Sequence, residues 1–305
     1  MTQIEVTFLG TTAGVPTKDR GHPAVHIKYR SEQEYSCLFD CGEGTQRQIL
    51  FTDVNFMRID DIFITHWHAD HFAGILGLME TMNLEGRTKP LNIYGPEAAR
   101  FVDILEELGY WSKKYDVVAH DAWSEGTTPQ VILDGGEFQV LAVPVKHSIP
   151  AVAYAFAEKD RIKIDKLKAQ EMGLPPKGPV YRDIKEKGSA LWKGKKIRLE
   201  DLSSVEKGKK VVYSGDTMPC KNMVTISQGA DLLIHDSTFF EDAADDNYRH
   251  SNFDEVINIS KKAGVRQLVL THISRRYQSS EELREKVQGY EGVKIAKDFM
   301  KIVVS

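Results

Sequence analysis

The stretch Thr65-His66-Trp67-His68-Ala69-Asp70-His71 restricts the fold of this chain more than any other. It follows the apolar run Ile62-Phe63-Ile64 and precedes Phe72–Met79, whose apolar spacing is helical. Three imidazoles and a carboxylate within six positions, at a strand-to-helix turn, form a candidate metal site. His66 and His68, two apart at a strand end, point the same way. Asp70 and His71 lie where the chain turns and can face a second ion. A solvated histidine-rich loop is the ordinary explanation for one or two histidines, but this spacing behind a buried strand argues against it.

At 305 residues and 41% hydrophobic, the chain can bury a full core, with room for one large domain (residues 1–305) and an insertion. Its net charge of −4 would argue against a nucleic-acid partner if the charge were evenly spread. It is not. Between Glu158 and Lys210, sixteen Lys and Arg stand against nine Asp and Glu, a surplus of seven that leaves −11 on the remainder. The same stretch holds Gly173-Leu174-Pro175-Pro176-Lys177-Gly178-Pro179, which excludes a long helix or a central strand there. A protruding basic arm over residues 158–210 is the expectation. Cys37, Cys41 and Cys220 are odd in number, lack metal-ligand spacing and fit a reducing cytosol. No signal peptide is visible, and no apolar run approaches the ~18–20 residues of a membrane span. A soluble, cytoplasmic protein is expected.

The pattern along the chain is strand-rich. Ile4–Gly10, Ala24–Tyr29 and Tyr35–Cys41 read as strands between turns, then Gly44–Asp53 as a helix. Asp60–Thr65 and Leu91–Tyr94 read as buried strands, and Glu97–Leu108 as a helix opened by Pro96. A second half repeats the theme: Val131–Leu133 and Phe138–Val145 flank the hairpin signal Asp134-Gly135-Gly136-Glu137. Ala151–Ala157, Val211–Ser214, Leu232–His235 and Gln267–Thr271 are further strands. Asn252–Ala263 and Ser279–Tyr290 read as helices, with Asn252 and Ser279 as N-cap candidates. Two such halves predict an α/β protein in which two sheets pack face to face with helices outside, an αββα sandwich.

Two ions need more ligands than the first cluster offers. His147 follows Phe138–Val145, Asp216 follows Val211–Ser214, and His272 follows Leu268–Thr271. Each closes an apolar strand, so all can converge on one sheet edge. Imidazole and carboxylate without thiolate suit Zn²⁺, with Mn²⁺ or Fe²⁺ as alternatives. Two such ions would hold a bridging hydroxide and clamp the oxygens of an in-line displacement. The reaction class is hydrolysis, most naturally of a phosphodiester.

His66-x-His68-x-Asp70-His71 with His147, Asp216 and His272 resembles the metallo-β-lactamase superfamily. Phe39-Asp40-Cys41-Gly42-Glu43-Gly44-Thr45-Gln46-Arg47-Gln48, Ser214-Gly215-Asp216-Thr217 and Thr271-His272-Ile273-Ser274-Arg275-Arg276-Tyr277 narrow the resemblance to the ribonuclease Z family, the tRNA 3′-processing endoribonucleases of short form. Pro16-Thr17-Lys18-Asp19-Arg20 and the Gly/Pro-rich basic insertion resemble that family too. The resemblance implies a nuclease of tRNA processing. One zinc would sit on His66, His68 and His147, the other on Asp70, His71 and His272, with Asp216 bridging. Asp70 would also orient or deprotonate the attacking water. Asp40 would hold ligand loops rather than bind metal.

The resemblance further implies removal of the 3′ trailer from precursor tRNA, leaving a 3′-hydroxyl. The departing 3′-oxygen needs a proton, and His250, supported by Asp236 in His235-Asp236-Ser237-Thr238, is the implied donor. Aspartate stands where the family commonly has glutamate, one methylene longer. The arm would grip the tRNA body, in a homodimer whose subunits each lend an arm to the partner's substrate. His22, His26 and His120 receive no role. Two other readings are a small-substrate hydrolase of the same superfamily (phosphodiesterase, thioesterase or lactonase) and a non-catalytic RNA-binding protein. The basic arm and the Asp236/His250 pair count against the first, the full ligand set against the second.

Overall fold

In a computed structural model of the chain, the described residues are 2–109, 114–241, 249–277 and 280–305. Two seven-stranded sheets form the body. The first runs β1 (Gln3–Gly10), β2 (Ala24–Arg30), β3 (Glu34–Phe39), β4 (Asp61–Phe63), β5 (Leu91–Gly95) and β6 (Val117–Asp121), with β18 (Lys301–Val304) added beside β1. The second holds β7 (Gln130–Asp134), β8 (Phe138–Pro144), β9 (Val152–Glu158), β14 (Lys210–Tyr213), β15 (Leu232–Asp236), β16 (Leu268–Thr271) and β17 (Val293–Ile295). Strands β3 to β6 are mutually parallel, as are β14 to β17.

Successive side chains of a strand point to opposite faces, and here both faces are covered. Phe39, Tyr213, Ile234 and Val269 point into the core between the sheets, with Phe8, Phe63, Tyr154 and Phe156. Their neighbours Leu38, Ile62 and Ile93 point outward, under the helices Ile75–Leu84 and Ala98–Leu108. On the second sheet Val212, Leu233, Leu268 and Leu270 lie under Lys221–Ser227 and Phe253–Ala263. Strands buried on both sides read as unbroken apolar runs. This is the αββα sandwich the sequence predicts.

Several elements depart from expectation, β17 and β18 among them, while the helix from Phe253 meets it. The helix expected over Gly44–Asp53 spans only Thr45–Ile49, because the Thr52 hydroxyl donates to the Ile49 carbonyl at 2.8 Å and the chain turns. Strand β6 was not anticipated: as an edge strand it is only partly buried and lacks an apolar run. The helix Phe253–Ala263 starts with a capping box, Asn252 accepting from Glu255 N and Glu255 from Asn252 N, and stops at Gly264 with φ 63°. Ser279 lies outside the described residues, and the last helix spans Ser280–Val287.

Residues Glu158–Gly208 form a second compact unit. Two antiparallel ribbons, β10 (Arg161–Ile164) with β13 (Ser203–Glu206) and β11 (Ser189–Trp192) with β12 (Lys195–Arg198), combine with helices Lys166–Glu171, Pro179–Lys187 and Leu199–Leu202. Ala169, Leu174, Val180, Ile184, Ile197 and Leu202 make its core. The Gly/Pro run expected to exclude a long helix here joins the first two of these helices.

Candidate metal centre

The site lies at the C-terminal ends of parallel strands, where the chain leaves each sheet. His66, His68, Asp70 and His71 follow β4, His147 follows β8, Asp216 follows β14, Asp236 ends β15, and His272 follows β16. Two contacts bring the sheets together there: Tyr154 Oη donates to the Ile64 carbonyl at 2.7 Å, and Val152 N to Thr65 O at 3.0 Å. The loop carrying Asp216 comes so close that a Cβ on Gly215 (φ +57°) would lie 2.6 Å from Thr65 Cβ. Only glycine fits.

Three groups of side chains converge, each with ligand-type atoms within 4.8 Å of one another: His66, His68 and His147; Asp70, His71, Asp216 and His272; and Asp216, Asp236, His250 and His272. Asp216 faces two ways, Oδ2 lying 3.8 Å from His66 Nε2 while Oδ1 lies 3.2 Å from both His71 Nε2 and His272 Nε2. Every sequence-derived candidate is therefore in one place. Asp40 is set apart, accepting from Thr65 N, Thr65 Oγ1, His71 Nδ1 and Tyr213 Oη at 2.7–3.0 Å.

The outer nitrogen of four imidazoles is taken. His66 Nδ1 meets Thr65 Oγ1, His71 Nδ1 meets Asp40, His147 Nδ1 meets the Arg249 carbonyl, and His272 Nδ1 meets Thr238 Oγ1. Thr65 and Thr238 spend their hydroxyl protons on Asp40 and Asp236, so each accepts from its histidine. With Nδ1 as the donor, the neutral form of each ring presents an Nε2 lone pair to the cluster, the form metal ligation requires. Thr65, Thr238, Tyr213 and the Arg249 carbonyl had no sequence signal, since threonine and tyrosine at strand ends look structural.

His71 Nε2, Asp216 Oδ1 and His272 Nε2 are buried without a hydrogen-bond partner. Each orphan costs roughly 1–3 kcal/mol, and three aimed at one point fit a cation. The electrostatics agree. Burial opposes charge on His272, yet Asp216, Asp236 and Asp70 raise its pKa to about 10. His71, fully buried, is likewise held well above the ordinary histidine value by Asp216 and Asp40. These acids demand positive charge. His66, His68 and His147 are pushed down by burial and stay neutral, as ligands must. Nitrogen and oxygen donors without sulfur suit Zn²⁺, Mn²⁺ or Fe²⁺.

His250 stands beside this cluster, its Nδ1 2.9 Å from Asp236 Oδ2. Asp236 is fixed by Thr217 N, Thr238 N and Thr238 Oγ1. Burial disfavours charge on His250, but Asp236 outweighs it and raises the pKa. A cavity of about 520 Å³ opens over Asp70, His147, His250 and Arg276. A larger one of about 860 Å³ shares Arg275 and Arg276 but contains no cluster residue. Of the histidines without a role, His26 meets Ser36, His120 meets Asn92, and His22 meets Gly14.

The fold and the site define a hydrolase of the metallo-β-lactamase superfamily with side-chain clusters able to hold metal. A family profile described as "Beta-lactamase superfamily domain" matches residues 197–273, and one described as "Anti-Pycsar protein Apyc1" matches residues 4–105. Ribonuclease Z of Archaeoglobus fulgidus is 40% identical over 99% of this chain and 98% of its own length. Ribonuclease Z of Methanococcus maripaludis is 41% identical over 90% and 89%. The crystal structure of human tRNase Z, short form, superposes with a TM-score of 0.69 at 29% identity, covering 98% of both chains. The chain belongs to the ribonuclease Z family, a family of endoribonucleases. No described helix is long and apolar enough to cross a membrane.

Proposed function

We propose that the chain removes the 3′ trailer from precursor tRNA as a zinc-dependent endonuclease, leaving a 3′-hydroxyl on the tRNA. The observation that carries this reading is the His250–Asp236 pair at 2.9 Å, a proton donor placed beside the Asp216 cluster. One ion would rest on His66, His68 and His147, the other on Asp70, His71 and His272, with Asp216 shared. When bound, the two ions supply Lewis acidity to the phosphoryl oxygens and lower the pKa of water.

The remaining work falls to the protein. Asp70 Oδ2, held by the Gly14 N–H at 3.1 Å, orients the attacking water and accepts its proton. His250 carries a proton because Asp236 favours its charged form, and it delivers that proton to the departing 3′-oxygen. Asp236 remains an anion throughout: burial opposes its charge, but His250 and then His272 outweigh it. The unit Glu158–Gly208, whose stretch carries the positive surplus, holds the RNA backbone by phosphate contacts. A homodimer in the cytoplasm, each arm serving the tRNA of the partner subunit, completes the reading.

The test is incubation of zinc-loaded protein with a 3′-extended precursor tRNA and mapping of both product ends. The expected products are tRNA ending in a 3′-hydroxyl and a trailer beginning with a 5′-phosphate. Turnover of small aryl phosphodiesters or thioesters with intact precursor would instead assign a small-substrate hydrolase.

A further inference from the structure

His22 takes no part in the chemistry above, yet it is tied to it. Its side chain is only 11% exposed, and Nε2 lies 3.1 Å from the Gly14 carbonyl oxygen. A carbonyl only accepts, so Nε2 carries the proton and donates it. Nδ1 faces Glu43 Oε2 at 3.6 Å. Gly14 in turn aims its N–H at Asp70 Oδ2, 3.1 Å away. That oxygen is the one turned towards His71 Nε2 and His272 Nε2, 3.6 Å from each.

Gly14 adopts φ +58° with open space around its Cα, so this kink is chosen for its backbone and not for packing. The loop before it is clipped to the ligand-bearing turn by Ala13 N donating to Ile273 O at 3.1 Å. Val15 N donates to Ala13 O at 2.6 Å and Thr12 Oγ1 to Val15 O at 3.1 Å, and the His22 contact adds a hold on the Gly14 carbonyl, restricting the turn that presents the Gly14 N–H. No hydrogen bond along His22, Gly14 and Asp70 ends on His66, His68 or His147.

We propose that His22 is a positioning residue: through Gly14 it fixes the Asp70 carboxylate and so sets metal affinity at the Asp70, His71, Asp216 and His272 group alone. The inference rests on the reading that these groups hold metal. It is independent of which RNA is cut.

The test is a double-mutant cycle read by zinc affinity, titrating Zn²⁺ into stripped full-length protein against a chromophoric chelator. In a His68→Ala background, where the Asp70 group is the intact one, His22→Ala is expected to weaken zinc ~10–100-fold, the usual effect of losing an outer hydrogen-bond partner. His22→Gln, which keeps an N–H donor, is expected to recover most of it. In an Asp70→Ala background, His22→Ala is expected to change nothing. Equal losses in both backgrounds, or none in the first, overturn the proposal. So does a lowered melting temperature of metal-free His22→Ala that Gln does not rescue, which assigns His22 to the fold. If zinc behaves as expected but precursor tRNA is not cut, the proposed function fails and the role of His22 stands.

Discussion

Tyr213 donates its hydroxyl to Asp40 Oδ2 at 2.9 Å, joining the end of a second-sheet strand to a first-sheet loop across the core. The Asp40 residue itself sits at φ 59°, a conformation that non-glycine residues rarely adopt. The tie holds that strained turn, which in turn holds His71 and Thr65.

Tyr213→Phe is therefore expected to destabilise the protein by about 1.5–3 kcal/mol, the usual worth of a hydrogen bond to a charged group. Zinc affinity should fall with it, because Asp40, the anchor of His71, is held less firmly. Urea unfolding and chelator competition check both, and an unchanged unfolding midpoint would show that Asp40 needs only its other three donors.

His250→Ala should slow precursor cleavage ~100-fold or more, the lower end for loss of a general acid. Metal content should stay normal. A nitrophenyl phosphodiester, whose leaving group needs no proton, should lose far less. Equal losses on the two substrates would remove His250 from the donor role.

Replacing residues 159–207 by a short Gly/Ser link is expected to leave both metal groups and the small-ester rate intact. Ala157 and Lys210 are register partners on β9 and β14, so the cut ends already lie side by side. Precursor cleavage should fall steeply through binding. Loss of three phosphate contacts would flatten the log–log salt dependence by roughly two to three, at ~0.7–0.9 per contact. A wild-type salt slope in the shortened protein would place the RNA grip elsewhere.

His26 gives a pH dependence remote from the metals. Burial, followed by the nearby Lys28, lowers its pKa from 6.5 to about 4. The unfolded chain then binds the proton more readily than the folded one. This contribution to stability is complete above pH ~6.5 and is lost as the pH falls towards 4, about 3 kcal/mol in all. The difference in urea midpoint between wild type and His26→Gln should shrink over that window, and a constant difference would refute the assignment.

The sandwich could be read in advance because strands such as Val211–Tyr213 and Leu232–Ile234 are buried on both faces and spell continuous apolar runs. The cluster was legible for a related reason: each histidine or aspartate ends such a run, and strand ends converge. Edge strand β6 was not legible, since two of its five residues are exposed, none is fully buried and its sequence, Val117-Val118-Ala119-His120-Asp121, carries no clear alternation. The unit Glu158–Gly208 was legible as charge but not as structure, because its helices and ribbons are four to nine residues long, too short for periodicity to register. The contacts that orient the site were invisible for a deeper reason. Gly14 meets Asp70 across 56 positions and Tyr213 meets Asp40 across 173, distances over which local pattern carries no information.

The order of the ligands along the chain has a consequence for dissection. His66, His68 and His147 precede Glu158–Gly208, while Asp216, Asp236, His250 and His272 follow it. A single nick within that unit would yield one fragment with His66, His68, Asp70, His71 and His147 and another with Asp216, Asp236, His250 and His272. Neither fragment alone could work. Both would carry a strand, β9 or β14, whose natural partner is on the other piece. Separated fragments are therefore expected to regain activity only by re-associating, with the β9–β14 and β1–β18 pairings as the means of recognition.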